Sequence, residues 1–397
     1  MVKIGIFGLG DMGAGVYKLL ANTEGLQVFG YDIDPAKSKN TMAETLNCDI
    51  WYLFLPNSET VRSFMNSSVN MIRGKTLLIG TTLPVGFTDR LVEVIKRKSG
   101  LVLDRDYCLA YCLERSSEGC VDMEFRTIDR VIGATAESFS KVAPVFYNLF
   151  KTKSKIMVTD CKTAEAVKLS EASYRTVNIA FANTLARVCQ ENGIDVADVI
   201  RFANTHPRVS IHSPGLGAGG KCLEPNTKIL FNELEDYPLI KEALVANNSM
   251  PEMFADMVAS VVGGFSDPSV GVLGTAFKPN SSSGTNSPAK TVITRLLGLG
   301  YRVKCFDPYC GESFGALRRP TLHECVEGVD CVAVATGHDI FRNLDLALVS
   351  KAVRHKNIID GPRVVDPRKA VEAGFKYCGI GYGSCTDMVK KRQIEIV

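Results

Sequence analysis

The sequence predicts an α/β chain in which two parallel-sheet domains are joined by a long central helix and a helical middle domain. Three observations predict it. Short apolar runs alternate with helix-like stretches up to about residue 158. A stretch free of Gly and Pro runs from Lys162 to Glu191. After Gly263-Gly264 the strand–helix–strand order begins again. Strands separated by helical segments imply parallel pairing with crossover helices.

In the first region (1–158) the strand candidates are Val2–Phe7, Val28–Tyr31, Ile50–Leu55, Thr76–Gly80 and Val131–Gly133. The second region (159–262) opens at Thr159-Asp160, a suitable N-cap, and Asn192-Gly193 stops its helix. Thirty residues of helix span roughly 45 Å at about 1.5 Å per residue. Val167, Leu169, Val177, Phe181 and Leu185 put apolar groups on more than one face, which suits a spine between domains and a dimer contact. A second helix from Val196 to about Asn204, the loop Pro214–Gly220 and more helix ending near Val262 follow. The third region (263–397) has strands at Val270–Leu273, Tyr301–Phe306, Cys331–Ala335 and Asn357–Asp360. Its helix Pro288–Leu299 has Pro at the start and Gly300 at the end, the usual polarity of helix boundaries.

Bulk properties narrow the function. A chain of 397 residues supports two or three domains. Its 46% hydrophobic and 22% charged residues are those of a soluble globular protein. A net charge of +3 without Lys/Arg clusters argues against a nucleic-acid surface. The 13 cysteines are scattered singly and match no paired metal template, so no metal site is expected and the thiols suit a reducing cytoplasm. No signal pattern precedes Val2 and no apolar run approaches a membrane span; no membrane partner is expected.

Gly8-Leu9-Gly10-Asp11-Met12-Gly13 follows the first strand and opens a helix, and Asp32 closes the second strand. Gly8 permits the tight turn, Gly10 lets a pyrophosphate approach the backbone, and Gly13 allows close helix–strand packing. The helix N-terminus favours phosphates, and Asp32 can accept hydrogen bonds from a ribose. In this strand–turn–helix context the motif predicts a Rossmann-like dinucleotide site. Asp32 favours NAD, since a 2′-phosphate would face like charge. The competing reading is a glycine turn without ligand, which its position at residue 8 disfavours.

Gly215, Gly217, Gly219 and Gly220 precede Lys221-Cys222. A backbone so free of side chains allows close ligand approach, and a cationic neighbour favours a thiolate. The alternative is that Cys222 is one inert thiol among thirteen.

Over its whole length the chain resembles the UDP-glucose/GDP-mannose 6-dehydrogenase family, nearest to its UDP-N-acetylhexosamine group. The landmarks occur in order. They are Gly8-x-Gly10-x-x-Gly13, Thr81-Thr82-x-Pro84-x-Gly86-x-Thr88, Glu114-Arg115-x-x-x-Gly119, Ala164-Glu165-x-x-Lys168 and Val177-Asn178-Ile179-Ala180-Phe181-Ala182-Asn183. Then come Asn204-x-His206-Pro207-Arg208-Val209, Pro214-Gly-x-Gly-x-Gly-Gly-x-Cys222, Gly274-x-Ala276-Phe277-Lys278-Pro279-Asn280, Ser287-Pro288-Ala289 and Asp307-Pro308. The resemblance implies oxidation of a nucleotide-sugar C6 alcohol, UDP-N-acetylmannosamine foremost, by two NAD+ to the uronate. Cys222 would form a thiohemiacetal and then a thioester. Lys168 would stabilise the oxygen that changes charge or exchange its proton. Glu114 would help activate water, and Thr82 would line the nicotinamide pocket. Gly219, Phe277 and Lys278 would lie against the sugar nucleotide. Arg208 would be offered to the neighbouring subunit's substrate, consistent with a homodimer. Read without the resemblance, Lys168 is a solvated side chain, Glu114 a loop carboxylate and Arg208 a surface charge. His206 reads as a turn or cap residue.

Four places depart from the family pattern. Ala172 stands where an Asn is usual four residues after the lysine, and Asn226 where an Asp is usual four residues after the cysteine. Leu113 replaces a Pro, and Ser283 and Thr285 replace an Asp and an Arg. Losing a general base costs ~10²–10⁴-fold. Three readings follow: the family's four-electron reaction carried by Glu114 and Lys168, a diverged NAD enzyme of other substrate or two-electron reach, and a non-catalytic nucleotide-binding protein.

Overall fold

The computed structural model describes residues 1–116, 121–147 and 155–382; the landmark Gly119 lies outside them. Two compact units divide the chain at Glu171/Ala172, inside the long helix Cys161–Glu191. That helix begins one residue earlier than expected. Asp160 caps it, Oδ1 accepting from Thr163 N at 2.8 Å.

The first unit holds a seven-stranded sheet in the order β2-β1-β3-β4-β5-β6-β7. The strands are β1 (Val2–Phe7), β2 (Leu26–Tyr31), β3 (Ile50–Leu53), β4 (Thr76–Ile79), β5 (Cys108–Cys112), β6 (Arg130–Ala134) and β7 (Ile156–Thr159). All pairings are parallel except β5–β6, a mixed edge common in such sheets. Successive residues of a strand face opposite ways, and here both faces are covered. Phe7, Trp51, Leu53, Leu77 and Ile79 enter one core, and Ile4, Ile6, Tyr52, Leu78 and Ala110 enter another. This two-sided burial explains why the strands read as continuous apolar runs. β5 is likewise buried at all five positions, but its Cys-Leu-Ala-Tyr-Cys run holds no β-branched residue to mark it as a strand.

The second unit holds six parallel strands in the order β10-β9-β8-β11-β12-β13, the order of a doubly wound dinucleotide fold. They are β8 (Ser269–Leu273), β9 (Arg302–Phe306), β10 (Leu317–Arg318), β11 (Cys331–Val334), β12 (Asn357–Asp360) and β13 (Lys376–Gly379). One face packs on helices: Val270, Val272 and Ile359 share a core with Ala186 and Cys189 of the long helix and with Phe254 and Val258 of the helix Pro238–Val262. No helix among the described residues is long and apolar enough to cross a membrane, and no group of His, Cys, Asp or Glu among them could hold a metal.

Candidate active site

The glycine turn between β1 and the first helix (Asp11–Ala21) lies at the edge of β1 beside β3, where strand order reverses. Such sheets bind ligands there. Gly8 has φ +92°. A Cβ on it would lie 2.3 Å from Phe54 O, and one on Gly13 1.9 Å from Gly8 O. A Cβ on Gly10 would meet nothing within 4 Å, so the helix N-terminus there has open space beside it. Asp11 is exposed, and half-buried Met12 packs on the core. Asp32 Oδ2 accepts from Leu9 N at 2.6 Å and Oδ1 from Asp34 N at 2.9 Å. The carboxylate thus ties β2 to the glycine turn while staying half-exposed. Thr82 is half-buried just after β4. Its neighbour Thr81 fastens that loop, Oγ1 accepting from Leu55 N at 2.8 Å. Open backbone at Gly10, a helix N-terminus and a half-exposed carboxylate fit a dinucleotide.

The first unit also brings Lys168 and Glu114 together: Lys168 Nζ donates to Glu114 O. The Glu114 side chain is buried. Its Oε1 accepts from Arg130 Nη1 at 3.0 Å and Ser116 N at 2.7 Å. Its Oε2 has no partner among the described residues. Arg130 is fully buried, its guanidinium 3.9 Å from the Phe125 ring centroid. One turn before Lys168, Glu165 accepts from Gly86 N at 2.5 Å and Thr88 N at 2.8 Å. These are the N-terminal amides of the helix Phe87–Ser99. Burial pushes the Glu165 carboxyl up, opposed by those N–H groups. Glu165 therefore fixes the start of the long helix, and Lys168 with it.

In the second unit Cys222 immediately precedes the helix Leu223–Leu230. Ten other cysteines are described, nine buried and Cys161 half-buried; Cys222 alone is exposed. Burial pushes the thiols of Cys112 and Cys325 up to about 12, which keeps them protonated and inert. The glycine loop is pressed against the segment that follows β8. A Cβ on Gly219 would lie 2.7 Å from Asn286 O, and one on Gly220 2.6 Å from the Phe277 ring. Asn286 Nδ2 donates to Gly220 O at 3.1 Å. Lys278 Nζ lies 5.6 Å from the Phe277 ring centroid. Gly219, Phe277 and Cys222 therefore belong to one neighbourhood. A cavity of about 620 Å³ borders it, lined among others by Gly217, Glu224, Asn247 and Lys290.

Arg208 stands apart on an exposed turn. His206 is a turn residue, its Nδ1 accepting from Arg208 N at 3.3 Å. Of the departures, Ala172 and Asn226 are buried. The Asn226 backbone N–H donates to Cys222 O at 3.0 Å. Ser283 and Thr285 pair with each other, Oγ to Oγ1 at 3.2 Å.

Sequence reasoning missed Arg130 and the couple Asp307–His338. Asp307 Oδ2 accepts from Thr275 N (2.7 Å), Ala276 N (2.9 Å) and His338 Nε2 (2.9 Å), and Oδ1 from Tyr309 N and Cys310 N. His338 Nδ1 accepts from Asn280 N at 2.8 Å. Asp307 and His338 thereby bracket the segment carrying Phe277 and Lys278. Asp307-Pro308 was a visible landmark; nothing near His338 marks its partner in sequence.

Two nucleotide-type sheets, one with a dinucleotide turn and the other beside an exposed thiol, define a two-domain α/β oxidoreductase. Residues 162–249 match the central domain, and 271–367 the UDP binding domain, of the UDP-glucose/GDP-mannose dehydrogenase family. A Pyrococcus horikoshii UDP-N-acetyl-D-mannosamine dehydrogenase is 34% identical over 79% of this chain and 74% of its own. A Ralstonia nicotianae NDP-N-acetyl-D-galactosaminuronic acid dehydrogenase is 32% identical over 74% and 73%. The solved P. horikoshii UDP-D-ManNAc dehydrogenase superposes with a TM-score of 0.87 at 27% identity, over 96% of this chain and 99% of that one. The chain belongs to the UDP-glucose/GDP-mannose dehydrogenase family and is an oxidoreductase of its sugar-nucleotide dehydrogenase class.

Proposed function

We propose that the chain oxidises the C6 hydroxyl of a UDP-N-acetylhexosamine, UDP-N-acetylmannosamine foremost, to the uronate through a covalent intermediate on Cys222. One observation carries the reading: the sole exposed thiol among the described cysteines ends a glycine loop packed on Phe277. The activities of the named relatives support the sugar.

The balance is one CH2OH, two NAD+ and one water giving one carboxylate, two NADH and three protons. NAD+, when bound, accepts the hydride in both oxidations. Gly8, Gly10, Asp11, Met12 and Gly13 would cradle its phosphates, Asp32 a ribose and Thr82 the nicotinamide. Lys168 would stabilise the C6 oxygen as it loses its proton. Cys222 Sγ would then bond the aldehyde carbon and hold a reactive product on the protein. Loss of the second hydride leaves a thioester, and water breaks its C–S bond and frees the thiol. Glu114 would orient that water; Oε2, without a donor among the described residues, supports this, since a buried unpaired acceptor calls for a partner.

In this reading the regions divide the labour. Residues 1–158 bind the cofactor. Residues 159–262 carry the thiol and the dimer contact. Residues 263–397, with Phe277 and Lys278, hold the nucleotide sugar against Gly219. Tyr174, Phe181 and Val188, seven apart on the long helix, are 59%, 55% and 49% exposed. Their common face supports a homodimer, in which Arg208 would reach the neighbouring subunit's substrate. The cytoplasm expected from the cysteine pattern belongs to this proposal.

Asn226 favours a second reading. Buried one turn past Cys222, it offers an amide where thioester hydrolysis wants a base, so the four-electron cycle stalls before uronate release and the reaction that turns over is a two-electron one or one on another substrate. Purified protein, NAD+ and a panel of UDP-N-acetylmannosamine, UDP-N-acetylglucosamine, UDP-N-acetylgalactosamine and UDP-glucose decide the matter by NADH absorbance and product mass. Two NADH per uronate on one substrate is expected. One NADH per sugar, or none with NAD binding intact, sinks the four-electron reading.

A further inference from the structure

We infer that Asn247 is a positioning residue for the thiol, its buried amide on the helix Pro238–Val262 bonded to the long helix and, through Asn183, to the loop that ends at Cys222. The inference rests on the reading of Cys222 given above and names what sets its place.

Asn247 is 2% exposed and Asn183 fully buried. Asn247 Nδ2 donates to Thr176 O at 2.9 Å, and its Oδ1 accepts from Asn183 Nδ2 at 2.9 Å. Asn183 Oδ1 accepts from Gly215 N at 2.9 Å. Each partner admits one amide orientation. Turning Asn247 over would set its oxygen against Thr176 O, and turning Asn183 over would set its NH2 against Gly215 N–H. The chain of bonds therefore has one arrangement, and it ends on the first glycine of the loop.

The backbone of Asn247 makes a second contact. Pro251 stands four residues on, inside the same helix. It has no N–H to give to the Asn247 carbonyl. Gly217 packs against that carbonyl. A Cβ on Gly217 would lie 2.4 Å from Asn247 O, and Gly217 has φ +100°. A residue other than glycine would not fit over this oxygen. The loop is thus held at Gly215 by a hydrogen bond and at Gly217 by contact, shortly before Cys222. Buried apolar neighbours on the same helix, Ala243, Leu244, Met250 and Phe254, show that packing alone does not require an amide here. A satisfied buried polar network is worth its desolvation when it specifies one geometry.

The test uses the full chain with Asn247→Ala, Asn183→Ala and Gly217→Ala. Gly217→Ala leaves both amides in place and strains the loop at its contact with Asn247 O, and its unfolding temperature shows whether the fold withstands it. Three quantities are read: thermal unfolding, the rate at which iodoacetamide labels Cys222 (located by peptide mass), and kcat and KM on the substrate that the panel selects. A misplacement near 1 Å costs on the order of 10²-fold in rate. The expected result is that loss in kcat for Asn247→Ala and Gly217→Ala, a changed labelling rate, and an unchanged KM for NAD. A merely structural role would lower the unfolding temperature without splitting kcat from KM. Wild-type kcat and labelling in folded Asn247→Ala or folded Gly217→Ala overturns the inference. Undiminished two-NADH turnover in Cys222→Ser overturns the reading of Cys222 instead, and the labelling rate still tests the positioning.

Discussion

The three glycines of the N-terminal turn should fail in three different ways when each becomes alanine. On Gly13 the new Cβ would stand 1.9 Å from Gly8 O, about 1.5 Å short of ordinary contact, and backbone must move. Overpacking of this kind costs typically 1–3 kcal/mol. On Gly8 the Cβ would stand 2.3 Å from Phe54 O at φ +92°, adding a left-handed penalty of roughly 1–2 kcal/mol. On Gly10 it would touch nothing, and φ −67° with ψ −170° suits any residue. Gly10→Ala should therefore fold as well as the parent, or gain about 0.4–1 kcal/mol from a stiffer unfolded chain. If a pyrophosphate lies over Gly10, the same methyl occupies ligand space. NAD affinity should then drop at least about tenfold, some 1.4 kcal/mol. Urea unfolding and calorimetric titration with NAD measure the two effects separately. Undisturbed NAD binding by Gly10→Ala would refute the placement of the cofactor over this turn. A destabilised Gly10→Ala would refute the packing argument.

Restoring a carboxylate in Asn226→Asp should raise uronate release by up to ~10²-fold if hydrolysis limits turnover. Quenched-flow product analysis shows whether it does, and an unchanged rate makes Asn226 irrelevant to the water step. In the native protein, alkylation followed by peptide mapping should modify Cys222 before Cys112 or Cys325, whose thiols burial holds up to about 12; equal rates would remove the basis for singling Cys222 out. Burial alone would raise the carboxyl of Asp307, but the His338 and backbone N–H bonds outweigh it and hold it at about 2, against ~3.9 in an unfolded chain. Its contribution, on the order of 2 kcal/mol, is complete above pH ~4 and is lost as pH falls through about 2. Urea unfolding of Asp307→Asn should show a shallower loss across that window than the parent, and an identical slope contradicts the assignment.

How much of this was legible in sequence depends on whether the cause is local. The glycine turn was legible residue by residue. Gly8 takes the left-handed turn, Gly13 makes the close packing and Gly10 keeps an open face, each as strand–turn–helix geometry requires. The long helix was legible because Asp160 caps it and nothing inside breaks it. β5 was not: β3 and β4 are as fully buried but carry β-branched Ile or Thr, whereas Cys108–Cys112 holds none. Arg130 and His338 were not, since a buried charge and a buried imidazole earn their places through residues 16 and 31 positions away. The division of the chain inside the long helix was hidden for the same reason. Ala186 and Cys189 look like the rest of that helix until the sheet beginning at Ser269 is seen to share their core.

The two sheets repeat one device and use it differently. In each, a carboxylate just past the second strand of the unit's first β-α-β accepts from backbone of the turn after the first: Asp32 from Leu9 N, Asp307 from Thr275 N and Ala276 N. The device braces the turn at the very place where a dinucleotide would sit. Asp32 then stops at two N–H donors and stays half-exposed, so lone pairs remain for a ribose. Asp307 is buried and takes five N–H donors, one from His338. A carboxylate offers about four lone-pair sites, so Asp307 has none to spare. In the second unit the same turn is fully bonded and forms a rigid mount for Phe277 and Lys278. Under the proposed function, this asymmetry, more than the glycine motif by itself, favours the first sheet as the seat of the cofactor.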